Sequence, residues 1–326
     1  MKEKQNNHDK KILILGAGVI GTIYGWQLQK TGSSITHLVR KSKIDFYKSS
    51  GIQMKCLDLR NTQSREIEEG YYPNFVDSIS DNGEYDFILV AVNSNQLEDV
   101  LHVLKAYQGK ANIVFLQNMR LGDDELINEY LDSSRYFIAY PFKAGGGRIE
   151  NKIDGVIFGM PMTNTVIGEV NGTISNRVTE FHRSLKKADM NPKIIKNIIP
   201  YVRTHYVWGA CCLAAYLKAG NYQSFTQPEI IKESYLAMRE GWEICIKQGI
   251  NPKKVTPTKY YYLPFFILVP FTQWIYKQKG MREMFEGHVQ HSPDEMKDMY
   301  FNLLQIGKKY GVNMPVYSGF LPYVEK

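Results

Sequence analysis

At 326 residues the chain exceeds the roughly 250–300 at which a single hydrophobic core stops growing, so two domains are expected. Its 44% hydrophobic and 22% charged residues exclude disorder as the default state, and a net charge of +7 carried by scattered Lys and Arg suits an anionic ligand and does not by itself argue for nucleic acid, which is not expected as a partner. The four cysteines (Cys56, Cys211, Cys212 and Cys245) form no C-x-x-C pair, which excludes a zinc ribbon or thioredoxin-type centre and suits a reducing cytoplasm.

The polar opening MKEKQNNHDKK is followed by KILILGAG, too short an apolar run for a signal peptide. Lys11–Leu15 reads as a buried parallel strand, and residues 19–30 have helical spacing stopped by Gly32. Residues 34–39 form the second strand. An Asn82-Gly83 turn introduces a third at 86–92. Residues 96–107 are helical, with Leu97, Val100, Leu101 and Leu104 on one face; a strand at 112–116 and an acid-opened helix at 123–131 follow. This alternation predicts an α/β fold, a Rossmann-type doubly wound parallel sheet. Short strands at 136–140, 155–158 and 165–168, separated by Gly145, Gly146 and Gly147, are expected to extend the sheet. Beyond Asn171-Gly172 the pattern is helical: 175–188, 201–219, 228–248, a segment near 265–278, and 293–310. The division expected is a cofactor domain at 1–180 and an all-helical C-terminal domain at 181–326. The most apolar stretch, 260–271, is about a dozen residues interrupted by Pro264 and Pro270, short of the ~20 that span a bilayer. It suits a lid, a dimer surface or plain core. The expected location is cytoplasmic, with no membrane partner.

Gly16-Ala17-Gly18-Val19-Ile20-Gly21 is G-x-G-x-x-G, directly after a predicted strand and opening a predicted helix. Gly16 permits the tight turn, Gly18 lets a pyrophosphate approach the backbone, and Gly21 lets helix and strand pack closely. The anion then meets the free N–H groups of the helix start. The second strand ends in Arg40 and Lys41, where an NAD site usually carries an acid for the ribose 2′-OH. A guanidinium grips a 2′-phosphate well, so NADP(H) is the expected cofactor.

With a helical second domain behind this fingerprint, the chain resembles the ketopantoate reductase family. The likeness rests on ILGAGVIG with Arg40, on Phe115-Leu116-Gln117-Asn118, and on the glycine cluster followed by Val166-Ile167-Gly168-Glu169. It also rests on Ser292-Pro293-Asp294-Glu295-Met296 opening the last long helix and Lys309-Tyr310-Gly311-Val312-Asn313-Met314-Pro315 closing it. The resemblance implies that Asn118 contacts cofactor and substrate, that Glu295 binds substrate or ribose, and that Gln96 matches a Gln near the cofactor. Asn93 stands where the family has a Lys in its third-strand motif. The catalytic Lys of the next helix aligns with Val207, and the Asn one turn later with Cys211. Arg203-Thr204-His205 instead resembles a divergent branch carrying Thr-His there, with a Pro- and aromatic-rich stretch and a His (His288) ahead of Glu-Met.

Ketone reduction needs a hydride donor and a group that stabilises the developing alkoxide. His205 is the candidate general acid, since an imidazole of ordinary pKa holds a proton near neutrality; a histidine satisfied by a carbonyl or water is the open alternative. Arg203 is a candidate substrate-carboxylate clamp or a surface ion pair, and His288 a candidate pocket residue. His288, His291, Asp294 and Glu295 are not expected to hold a metal, because Pro293 starts a new helix among them. The resulting expectation is an NADPH-dependent reductase of a small ketone or 2-keto acid, with a homodimer left open. A non-catalytic NADP(H)-binding regulator and an NADP-dependent alcohol dehydrogenase are the alternatives.

Overall fold

The computed structural model describes residues 9–61, 63–79, 84–149, 151–291 and 293–325, and for 288–291 and 293 the backbone only. The Asn82-Gly83 turn lies outside the described residues. The chain opens with β1 (Lys11–Leu15), α1 (Val19–Lys30), β2 (Ser34–Leu38), α2 (Ile44–Ser50), β3 (Ile52–Asp58), β4 (Arg65–Tyr71) and β5 (Asn74–Val76). It continues with β6 (Phe87–Val90), α3 (Leu97–Ala106), β7 (Asn112–Leu116), α4 (Asp123–Tyr130) and β8 (Tyr136–Pro141). β9 (Ala144–Ile149), β10 (Lys152–Ile157), β11 (Thr165–Gly168), α5 (Asn176–Lys187) and β12 (Pro192–Ile194) complete the first layer.

Eight strands form the main sheet in the order β12-β11-β8-β7-β6-β1-β2-β5. All neighbours run parallel except β11 against β8. Both faces are apolar because both are covered. Ile12, Ile14, Leu89 and Val114 pack with Ile23 and Tyr24 of α1 and Phe181 of α5. Leu13, Leu15, Ile88 and Ile113 pack with Leu97, Leu101 and Leu104 of α3 and Ile127 of α4. The winding on both faces is the doubly wound arrangement expected. The short strands behave differently from one another. β8 and β11 extend this sheet, but β10 joins a second sheet of order β4-β3-β10-β9 lying on α1. The three glycines expected to separate strands lie inside β9. Gly146 has φ +128°, and a Cβ there would fall 2.2 Å from the Asp154 carbonyl oxygen. The glycines permit strand pairing there and do not interrupt it.

The sheet continues to Ile194, past the expected boundary at 180, because α5 packs on it and β12 pairs with β11. Glu169 is buried and anchors this end. It accepts from Arg177 Nη2 at 2.6 Å and from the hydroxyl of Ser175, the N-cap of α5.

Helices α6 (Ile198–Ala219), α7 (Tyr222–Phe225), α8 (Pro228–Lys247), α9 (Phe265–Tyr276), α10 (Met281–His291), α11 (Pro293–Lys309), α12 (Pro315–Ser318) and α13 (Leu321–Val324) form the C-terminal domain. α6 belongs to two cores. Ile198, Tyr201 and Val202 sit in the sheet's core, whereas residues from Tyr206 to Tyr216 sit in the helical one. Among the described residues no helix is long and apolar enough to cross a membrane.

Candidate active site

The carboxyl ends of β1, β6 and β7 meet the start of α1, the edge at which open α/β sheets bind ligands. The glycine turn is built there from the inside. Gly16 has φ +99°, a conformation few other residues adopt. Its carbonyl accepts from His37 Nδ1 at 2.8 Å, and His37 Nε2 accepts from the Tyr71 hydroxyl at 3.2 Å. Burial pushes the His37 pKa down to about 4, so the ring stays neutral and props the turn. A Cβ on Gly21 would lie 3.0 Å from Ile14 Cγ2 and 3.3 Å from the Gly16 oxygen, so any larger residue would crowd α1 against β1. Gly18 differs. It caps α1 in extended conformation, and a Cβ there would meet only the Ala91 oxygen at 3.9 Å. Nothing in the protein requires glycine at 18. The open space lies at a helix start that has no side-chain cap, a cradle that fits a pyrophosphate.

Ala17, Val19 and Ile20 complete the turn, each half-buried. Arg40 and Lys41 are exposed at the end of β2 and have no ion-pair partner among the described residues. Sequence reasoning missed Arg148 of β9. Its guanidinium reaches across α1 to donate to the Ala17 carbonyl and to the Tyr47 hydroxyl, the latter at 3.3 Å. Its strand was hidden behind the glycine cluster.

Beside the turn lies a cleft lined by Asn93, Asn118, Arg120, Tyr206 and Glu295, among others. Asn118 follows β7, Asn93 follows β6, and Glu295 stands in the first turn of α11, so the cleft joins the two domains. The Asn118 side-chain amide has no hydrogen-bond partner among the described residues, although its carbonyl accepts from the Ser94 hydroxyl. Arg120 donates to the Ser94 carbonyl at 2.8 Å and lies 3.7 Å from Asp123. Burial raises the Asp123 carboxyl to about 6. Gln96 is exposed in a 3-10 turn before α3 and does not line the cleft.

Three expectations change. Arg203 is no free clamp: it is buried and bound to Asp124 at 2.7 Å and Glu125 at 2.9 Å, two acids of α4. It fastens α6 to the sheet layer, and Arg120 is the guanidinium facing the cleft. Val207 is fully buried against Gly241 of α8, and Cys211 lies in the helical core, so α6 presents Tyr206 to the cleft. The Tyr206 hydroxyl donates to Asn302 Oδ1 at 2.9 Å. His205 does not line this cleft. It packs among Tyr140, Phe142, Tyr201 and Trp208, with ring centroids 4.4–5.7 Å away. Burial pushes its pKa down to about 3, which removes the imidazolium expected of a general acid. Its Nε2 is buried without a partner. The His288 side chain lies outside the described residues. No group of metal-ligating side chains occurs among the described residues.

Residues 12–172 match the model of the ketopantoate reductase PanE/ApbA family. An uncharacterized oxidoreductase of Bacillus subtilis, YkpB, is 24% identical over 112 residues; the match spans 34% of each chain, about a third of that relative's length. Solved structures match almost throughout. A 2-dehydropantoate 2-reductase of Geobacter metallireducens superposes with a TM-score of 0.70 at 16% identity, covering 97% of this chain and 99% of that one. A D-mandelate dehydrogenase with NADH and anilino(oxo)acetate gives 0.71 at 16% identity over 97% of both chains. A 2-dehydropantoate 2-reductase of Methylococcus capsulatus gives 0.64 at 18%, covering 97% and 96%. Residues 12–172 by sequence, and the fold over almost the whole length, match the ketopantoate reductase family.

Proposed function

We propose that the protein is an NADPH-dependent reductase of a small ketone or 2-oxo acid. The observation that carries this reading is the open space over Gly18 at an uncapped helix start, beside a cleft that holds Asn118, Arg120 and Glu295. When bound, the cofactor supplies the hydride. The chain supplies position and charge. Arg40 and Lys41, with no ion-pair partner among the described residues, suit the 2′-phosphate. The partnerless Asn118 amide suits a hydrogen bond to the carbonyl that is reduced, and Glu295 suits a substrate hydroxyl. Arg120 is the cation for a substrate carboxylate. The D-mandelate dehydrogenase neighbour binds an oxo acid and NADH, so this chain is expected to share the substrate class and to differ in the ribose contact. His205, neutral and packed outside the cleft, takes no part in this reaction, and the alkoxide left by hydride transfer takes its proton from water.

Titration with NADPH and NADH tests this. NADPH should bind tighter, and Arg40→Ala should weaken NADPH about tenfold to a hundredfold while sparing NADH. Equal affinities would remove the 2′-phosphate argument. 2-Oxo acids should then outpace neutral ketones in NADPH oxidation. One observation favours a non-catalytic NADP(H)-binding regulator: α6 sends no cation to the cleft. Tight NADPH binding with no turnover across the substrate panel would select that reading.

A further inference from the structure

Helix α9 carries an apolar face that no described part of the protein covers. Ile267, Phe271 and Trp274 are spaced four and three apart, and Phe266 lies beside them two turns from Trp274, so the four share one face. Phe266 is 79% exposed, Trp274 55% and Phe271 51%, and the last two rings stack at 5.9 Å. The opposite face, with Leu268, Val269, Thr272 and Tyr276, is buried, so the helix is held in place and its outer face is built to be apolar. No residue of α9 lines the cleft, so the face is not a lid over the site.

The charge around this face is one-sided. Residues 251–281 contain Lys253, Lys254, Lys259, Lys277 and Lys279 and no Asp or Glu. Cations bracket the stripe. At its start Lys232 and Arg239 of α8 lie over Phe265, Lys253 over Tyr262 and Lys259 over Tyr260; Lys277 follows its end. Acids lie only at its two ends: Glu243 of α8 acts on Tyr262, and Glu283 and Glu286 of α10 act on Tyr222, which donates to the Tyr276 carbonyl at 2.6 Å. A second copy of the chain, paired about a two-fold axis, would set this lysine-rich rim against itself. Aromatic rings flanked mainly by lysines, with acids confined to the ends, match the boundary between acyl chains and anionic headgroups. At 12 residues the helix is about 18 Å long, too short to cross a bilayer and suited to lying in its surface.

We propose that α9 docks the protein on an anionic lipid surface, with Phe266, Phe271 and Trp274 inserted below the headgroups and the lysines above. This departs from the expectation of no membrane partner, crosses no bilayer, and is independent of the reaction proposed above. Sedimentation of the full chain with phosphatidylcholine vesicles, with and without phosphatidylglycerol, tests it. The protein should pellet with the phosphatidylglycerol vesicles, less so as salt rises, and remain in solution with phosphatidylcholine alone. Phe266→Ser with Trp274→Ser should weaken the association at least about tenfold. Lys259→Glu with Lys277→Glu should weaken it and leave the melting temperature unchanged. Wild-type protein that ignores anionic vesicles overturns the proposal. So does a dimer, seen by analytical ultracentrifugation, that the two serine substitutions dissociate.

Discussion

The glycine turn assigns different work to residues of the same type. Gly21 serves packing, because a methyl group there would press on Ile14 and on the Gly16 oxygen. Gly18 does not serve packing, because its surroundings leave a Cβ free, and the space beside it is what the proposed pyrophosphate would use. Gly21→Ala should therefore cost about 1–3 kcal/mol by overpacking. Gly18→Ala should stay within about 1 kcal/mol in stability and lose most of its affinity for NADPH. Urea unfolding and cofactor titration of both variants check this; a Gly18→Ala protein that binds NADPH normally would sink the pyrophosphate assignment. All these turn residues were legible in the sequence, since strand, glycine spacing and helix are local. His37 and Arg148 were not. His37 is a mid-strand histidine whose partners, Gly16 and Tyr71, are set by chain pairing. Arg148 lies on a strand whose glycines read as a loop, because glycine is normally depleted in strands.

At the level of elements, the joint between α4 and α6 decides how the two domains hold together. Arg203 and Asp124 are both more than nine-tenths buried and bonded through two guanidinium nitrogens, at 2.7 Å and 3.2 Å. Removing one member strands the other charge. Arg203→Ala is expected to lose about 3–5 kcal/mol, whereas Arg203→Met with Asp124→Leu should lose far less, because two apolar groups replace a desolvated pair. Urea denaturation midpoints give the comparison, and equal losses in the two variants would mean that the pair is not what the site depends on. Sequence spacing placed Arg203 on a helix but not opposite α4, which is why it read as a substrate clamp. The same limit applied to the short strands. The 165–168 strand joined the sheet as expected, but the segment near 155 paired with β3, about a hundred residues earlier, a contact that periodicity does not encode.

For the molecule as a whole, acid should be destabilising. His37 and His205 are neutral in the fold, with pKa values near 4 and 3, and the unfolded chain takes up their protons below about 6.5. Their contribution is complete above that pH and is lost as pH falls toward the folded values. Between pH 7 and 5 the two remove about 4 kcal/mol. Asp123 works in the opposite sense. Its pKa is raised to about 6, so the folded state takes up a proton first and regains about 1 kcal/mol over the same range. Melting at pH 5 should occur several degrees below melting at pH 7, and His37→Asn should flatten the slope. A melting temperature that held steady or rose on acidification would contradict the assigned neutral imidazoles.

Helix α6 runs unbroken for 22 residues from one core into the other, joined to β12 by three residues. A rod seated at both ends cannot act as a hinge. Tyr206 of that rod is bonded to Asn302 of α11, the helix that carries Glu295, so both walls of the cleft are tied together and any narrowing around a bound molecule is left to the side chains that line it.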